Sequence, residues 1–106
     1  MAQALVKIQA QAKRGEAVEV RALIQHPMET GFRRDDMGKP IARDIIREFV
    51  CTYAGEEVLR AELQPAIAAN PFLVFHVLAT ESGEVAFRWT DDKGVVQSES
   101  ARLTVS

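Results

Sequence analysis

Cysteine and histidine are scarce in this chain. Of 106 residues, one is cysteine and two are histidine. A lone Cys51 can close no intrachain disulfide, so cysteine usage says nothing about an oxidising compartment. His26 and His76 fall in different segments, and neither belongs to a His-x-x-x-His or Cys-x-x-Cys unit, so the usual zinc spacings are missing. A blue-copper centre would need two histidines, a cysteine and usually a methionine within mutual reach. Cys51 instead sits among large apolar neighbours. No metal, no cofactor and no catalytic residue is expected.

An excess of basic charge is also missing. The formal net charge is -2 and the sequence pI is about 5.7, which argues against a nucleic-acid or anionic-membrane partner. No apolar run approaches the roughly 20 residues that span a bilayer. The opening MAQALVKIQAQAKRGEA has no long apolar core behind a basic end and no small-residue cleavage site, which by itself points to the cytoplasm. There is no glycine-rich phosphate cradle, and the aromatics are interleaved with core positions rather than with lysine and arginine.

Against these absences, 47% of the residues are hydrophobic and 26% charged, the balance of an ordinary folded protein. The length suits one globular domain over residues 1–106, large enough to bury a core without disulfides or metal.

The apolar residues recur mainly with period two, the mark of half-buried strands. In residues 5–10, Val6, Ile8 and Ala10 share one face against Lys7 and Gln9. In 17–25, Val18, Val20, Ala22 and Ile24 oppose Glu19, Arg21 and Gln25, and Leu23 is the only apolar residue on the outer side. In 44–54, Ile45, Phe49, Cys51 and Tyr53 share parity, and Arg47 interrupts the inner row. A turn at Gly55-Glu56 leads into Leu59, Ala61 and Leu63, which alternate with Arg60 and Glu62, so the two strands should form a hairpin.

Pro65 and Pro71 bracket a connection that leaves room for at most a single helical turn at 66–69. Residues 72–80 are apolar on both parities: Leu73, Phe75, Val77 and Ala79 suit a core, while Phe72, Val74 and Leu78, with His76 among them, need a cover. That cover is either the 65–71 connection or a partner. Val85, Phe87 and Trp89 face inward against Arg88 and Thr90. Asp92-Lys93-Gly94 is a tight turn, and the last strand is polar in its middle, as an edge strand should be. About seven short strands and no convincing helix predict an all-β fold, an antiparallel β-sandwich of immunoglobulin or fibronectin type.

One stretch does not alternate. His26 to Arg43, HPMETGFRRDDMGKPIAR, holds two prolines, two glycines, four basic residues and three acids. Most connections in compact domains run about 4 to 6 residues, and much longer ones are usually functional or disordered. Arg33 and Arg34 directly precede Asp35 and Asp36, which predicts a salt-bridged turn rather than a catalytic carboxylate pair. No base, nucleophile or ligand set completes an active site. The stretch reads as a recognition loop, with His26, Met28, Glu29 and Phe32 as its docking residues. Cys51 reads as an inert buried thiol, since reactivity needs an exposed, electropositive setting. The alternative is a small redox or sulfur-transfer enzyme using Cys51.

Four segments, HPMETGFRRDDMGKPIARDII, FVCTYAGEEV, PAIAANPFLVF and FRWTDDKG, stand in an order and spacing that resemble the SoxZ family. The resemblance runs through nearly the whole chain. It implies an immunoglobulin-like sandwich that pairs with SoxY as the non-catalytic half of the SoxYZ sulfur carrier of thiosulfate oxidation, with transient contacts to the other Sox enzymes. In that family the substrate rides on a cysteine near the end of the glycine-rich arm of SoxY. The present ARLTVS end offers no such cysteine. The resemblance also implies a periplasmic location by co-export with SoxY, against the cytoplasmic reading of the N-terminus alone. Phe72, Val74 and Leu78 are then the expected partner-binding residues.

Overall fold

The structure, a computed structural model, describes residues 3–26, 28–29, 31–63 and 71–106. The described strands are β1 (Gln3–Ile8), β2 (Gln11–Ala12), β3 (Ala17–Gln25), β4 (Ile46–Tyr53), β5 (Glu56–Glu62), β6 (Phe72–Leu78), β7 (Gly83–Asp91) and β8 (Val96–Val105). They form two sheets in the orders β1-β3-β6 and β2-β8-β7-β4-β5. The period-two pattern produces this sandwich directly. Each strand turns one parity toward the other sheet, and burying that parity removes apolar surface from water.

Aromatic residues join the sheets. Phe49 of β4 packs on Trp89 with ring centroids 5.2 Å apart and on Phe87 at 6.3 Å. It meets Phe75 of the small sheet edge-on at 5.9 Å. Val18, Val20, Ala22 and Ile24 of β3 fill the same core, together with Cys51, Val85 and Leu103.

Two expectations need correction. The first strand is two: β1 ends at Ile8, and the chain then crosses to the large sheet, where β2 pairs parallel with Thr104–Val105. Ala10 lies in that crossing and is exposed rather than inner. The described strands are therefore seven long ones, as expected, and one of two residues. The β4–β5 turn falls on Ala54-Gly55, both at positive φ (51° and 83°), not on Gly55-Glu56; two left-handed residues match the twist of a two-residue hairpin. Arg47, the charged residue in an apolar row, is accommodated by an irregularity in the β4–β7 register between Ile46 and Glu48. This bulge turns Arg47 to solvent and lets both Ile45 and Ile46 be buried.

Strand β8 is an edge along most of its length, since β2 covers only its last residues. Residues 64–70 lie outside the described residues, and with them the single turn expected at 66–69. Tyr53 ties the β4 end to the β6–β7 connection. Its hydroxyl donates to Glu81 O and accepts from the N–H groups of Thr80 (3.2 Å) and Glu81 (3.1 Å).

Candidate functional site

The 26–43 loop leaves the sandwich as a second, looser hairpin. Glu29 and Asp44 exchange backbone hydrogen bonds at 2.8 Å, Ile41 N–H donates to Arg33 O at 2.9 Å, and Asp35 N–H donates to Lys39 O at 2.9 Å. The Asp35 carboxylate accepts the N–H groups of Met37 (2.9 Å) and Lys39 (3.0 Å), which closes the tip. The adjacent arginines do not pair with the aspartates as expected. Arg33 reaches back to Glu29 (Nε to Oε1 3.1 Å), and Arg34 donates to Gly38 O at 2.9 Å. An aspartate side chain satisfies its own loop's N–H groups with less side-chain ordering than a cross-loop ion pair requires.

The loop's root is pinned. Met28, at φ 53°, is buried, and its sulfur accepts the Ile46 N–H at 3.2 Å. Arg43 grips Asp92 with a two-pronged contact of 2.8 and 2.9 Å, and Asp92 also accepts the Ile45 N–H at 3.2 Å. Burial pushes the Asp92 carboxyl up, but the Arg43 guanidinium and the Ile45 N–H outweigh it and hold the group below the usual carboxylate range. His26 and Met28 are therefore root residues at 6% and 4% exposure, while Phe32 stands 87% exposed and Met37 is similarly open. Of the four expected docking residues, Phe32 is the one whose side chain is mostly exposed.

His26, Asp44 and Asp91 bring potential ligand atoms within 4.8 Å of one another. The donor set does not suit an ion. His26 Nδ1 accepts the Met28 N–H at 3.0 Å, which leaves the ring proton on Nε2, the nitrogen facing Asp44 Oδ1 at 3.7 Å. Asp91 Oδ1 is taken by the N–H groups of Lys93 and Val95, both at 2.9 Å. Lys93 Nζ lies 3.4 Å from the other Asp44 oxygen. The cluster holds the loop root against the β7–β8 turn.

Cys51 has no solvent exposure, and burial pushes its thiol up to about 12. A thiol so raised supplies almost no thiolate near neutral pH. Nothing in its setting favours the redox or sulfur-transfer alternative.

Among the described residues the largest group of exposed apolar side chains lies on the outer face of the small sheet, while Phe32, Met37, Val58, Val95 and Val96 are exposed elsewhere. Phe72, Val74 and Leu78 are 54%, 49% and 57% exposed. The register sets Leu5 opposite Leu23 and Leu23 opposite Phe72, so a leucine, a leucine and a phenylalanine form one row across all three strands. Val74 extends it along β6. The partner-binding residues named from sequence thus share one face. Leu5 and Leu23 belong to it and were not named; the signal for Leu23 was its place as the only apolar residue on the outer side of its strand.

Fold and surface together define a small immunoglobulin-like sandwich. Its described polar clusters hold loops in place, and Leu5, Phe72, Val74 and Leu78 give one face of the small sheet an exposed apolar surface. The chain belongs to the SoxZ family, "Sulphur oxidation protein SoxZ", whose model matches residues 6–102, and this carries a role in the sulfur-oxidation system. No curated protein sequence matches it.

Among solved structures, a variant of the superoxide reductase (neelaredoxin) from Ignicoccus hospitalis aligns over 97% of this chain and 79% of its own, with TM-score 0.76 and 14% identity. A putative superoxide reductase from Thermotoga maritima aligns over 97% and 85%, with TM-score 0.72 and 17% identity. The sulfur carrier protein SoxY from Chlorobium limicola f thiosulfatophilum aligns over 97% and 78%, with TM-score 0.67 and 11% identity. At such identities these likenesses are likenesses of fold.

Proposed function

We propose that this chain is the non-catalytic subunit of a sulfur-carrier heterodimer, binding and stabilising a SoxY partner and offering docking surface to the enzymes that process the carried sulfur. The observation that carries this reading is the contiguous apolar face of Leu5, Leu23, Phe72 and Val74 on a chain of the SoxZ family. Fully burying one such side chain is worth about 1.5 to 3 kcal/mol, so the group can anchor a pair against the ~4 to 15 kcal/mol cost of association. The sealed Cys51 supports giving the sulfur to the partner. Co-export with SoxY to the periplasm is part of the same proposal.

The 26–43 loop is then the docking element for transient enzyme contacts. Phe32 and Met37 are its presenting side chains, and His26, Met28 and Glu29 are its root and brace.

The test is co-expression with a SoxY chain from the same organism. Val74→Asp should abolish co-purification while leaving the isolated chain folded. Mass spectrometry after thiosulfate turnover should find the sulfur adduct on the partner only. Co-purification unaffected by Val74→Asp removes this face from the interface, and an adduct on Cys51 replaces the carrier-subunit reading with the sulfur-transfer one. Phe32→Ser should leave the pair intact and slow its turnover by the enzymes; unchanged turnover makes the loop structural.

A further inference from the structure

Strand β6 offers more than an apolar face. It is the last strand of the small sheet, so one of its backbone edges has no neighbouring strand among the described residues. Which groups lie on that edge follows from the ladder. Ile24 N–H donates to Pro71 O at 3.2 Å and Ala79 N–H to Glu16 O at 2.9 Å. With the unbroken register between β3 and β6, the ladder bonds therefore fall on the odd-numbered residues of β6, since hydrogen-bonded pairs alternate in an antiparallel sheet. The N–H and C=O groups of Phe72, Val74, His76 and Leu78 point the other way, to the open side. In β6 the residues with exposed apolar side chains are the ones whose backbone groups have no neighbouring strand among the described residues.

The other edges are defended. Strand β5 carries Glu56, Glu57, Arg60 and Glu62, a register irregularity opposite Cys51 and Thr52, and an Arg60 paired with both Glu57 and Glu48. Strand β8 is polar through Gln97, Ser98, Glu99 and Ser100 and is capped at its end by β2. Strand β1 carries Lys7 on its outer face. Charge, bulges and caps are the devices by which edges avoid pairing with another chain. Among the described residues strand β6 shows none of them: FLVFHVL contains no lysine, acid, proline or bulge. The sandwich is also ajar on this side, since the inward-facing Leu59, Ala61, Leu73 and Phe75 are only partly buried. A shallow hollow beside β6 is lined by Val58, His76 and Leu78.

We infer that the partner adds a strand to β6, extending the small sheet to four strands. This rests on the heterodimer reading above and specifies how the pair is made. An open row of N–H and C=O groups is a template for another extended backbone, whose own groups replace the water on that edge. Side chains on both sides of the edge fix the strand's chemistry. It is uncharged, because β6 offers no formal charge to pair with. It is apolar on both parities, one parity lying beside Phe72, Val74 and Leu78 and the other closing over Leu73 and Phe75. Seven residues at ~3.3 Å per residue make an edge ~23 Å long, along a sandwich 19 Å across its short axes. That side covers about half of the ~800 Å² that each partner buries in a stable pair; the Leu5–Leu23–Phe72 row continues the same surface.

The experiment separates backbone from side chain. Val74→Pro removes one open-edge N–H and no bond to β3, and proline is tolerated on an edge whose N–H faces outward. Val74→Ala shortens the side chain and keeps the N–H. With the same SoxY chain as probe, Val74→Pro should raise Kd at least about tenfold beyond Val74→Ala. Backbone hydrogen exchange needs no variant. The amides of Phe72, Val74, His76 and Leu78 should exchange quickly in the isolated chain and be protected in the pair.

Loss of binding in Val74→Asp with Val74→Pro equal to Val74→Ala, or amides that stay unprotected in the pair, would overturn strand addition and leave the apolar-face reading standing. Binding unaffected by all three variants overturns both. A dimer of this chain alone that Val74→Pro dissociates makes the occupant a second copy and overturns the assignment to the partner.

Discussion

Leu23 and Phe72 face each other across the β3–β6 ladder, and Leu23 faces Leu5 across the β1–β3 ladder. Forty-nine residues separate the first pair in sequence, yet register alone makes them neighbours on one outer face. Two polar rows follow along the sheet, Lys7 and Arg21 beside Val74, then Glu19 opposite His76. The Leu5, Leu23 and Phe72 row thus sits at one end of the sheet with charge beside it, and Leu78 is exposed at the other end of β6. An apolar row with charge beside it is the anatomy of an interface with an apolar centre and a polar rim.

Leu5→Asp should weaken the pair, though Leu5 lies two strands from β6. Calorimetric titration with the partner should show Kd raised at least about tenfold, the equivalent of ~1.4 kcal/mol. The variant's own stability should change by no more than about 0.5 kcal/mol, as for an ordinary surface substitution. Wild-type affinity would confine the interface to β6.

Cys51 should be chemically silent. With its thiol pushed up to about 12 by burial, iodoacetamide at pH 8 should leave the folded chain unmodified over hours and alkylate one site per chain in urea. Alkylation of the native chain faster than its global unfolding would contradict the sealed core.

The Arg43–Asp92 clasp should give the loop root a dependence on acid. Asp92 titrates at lower pH in the folded chain than in the unfolded one, because Arg43 and the Ile45 N–H outweigh its burial. Its contribution is therefore complete above the unfolded carboxylate value of about 3.9 and is lost as pH falls through the lower folded value. Arg43→Met should cost roughly 0.5 to 1 kcal/mol at pH 7, a modest figure because Arg43 is half exposed and screened. Urea titrations of both proteins at pH 7 and at about pH 2 should show the difference shrink towards zero at the lower pH. A cost that persists there would assign it to lost packing.

Tyr53→Phe should destabilise by about 1 to 3 kcal/mol, since the backbone N–H groups of Thr80 and Glu81 lose their acceptor in a partly buried place. Thermal melting tests this. A change near zero would mean that water replaces the hydroxyl.

Much of this molecule is written in short-range pattern. The inner rows of β3 and β7 alternate without interruption, so parity sufficed to place Val18, Val20, Ala22, Ile24, Val85, Phe87 and Trp89 in the core. It failed where the chain leaves regular geometry. Nothing local marks Ala10 as the crossing between sheets, because that depends on where β8 offers an edge. The bulge at Arg47 shifts parity by one, so Ile46, which the unshifted pattern placed outside, is buried.

The candidate site was legible in the same uneven way. Residues 72–80 are apolar on both parities, and that was enough to mark Phe72, Val74 and Leu78 as needing a cover. The loop stood out by charge and length, but which of its residues face solvent did not. His26 and Met28 are held inside by contacts with Asp44 and Ile46, and a dense run of polar letters does not announce such contacts.

The sequence by itself determined the class of fold, the buried parity of the regular strands such as β3 and β7, and the SoxZ family, because alternation and local motifs are properties of neighbours in the chain. Only the tertiary structure decided that Leu5, Leu23 and Phe72 form one row, that β6 is an edge, and that its outward backbone groups belong to the residues with exposed side chains. Those facts depend on strand order and register, which arise from pairing between distant segments. The ladder between β3 and β6 joins stretches about fifty residues apart, and no window of sequence contains both.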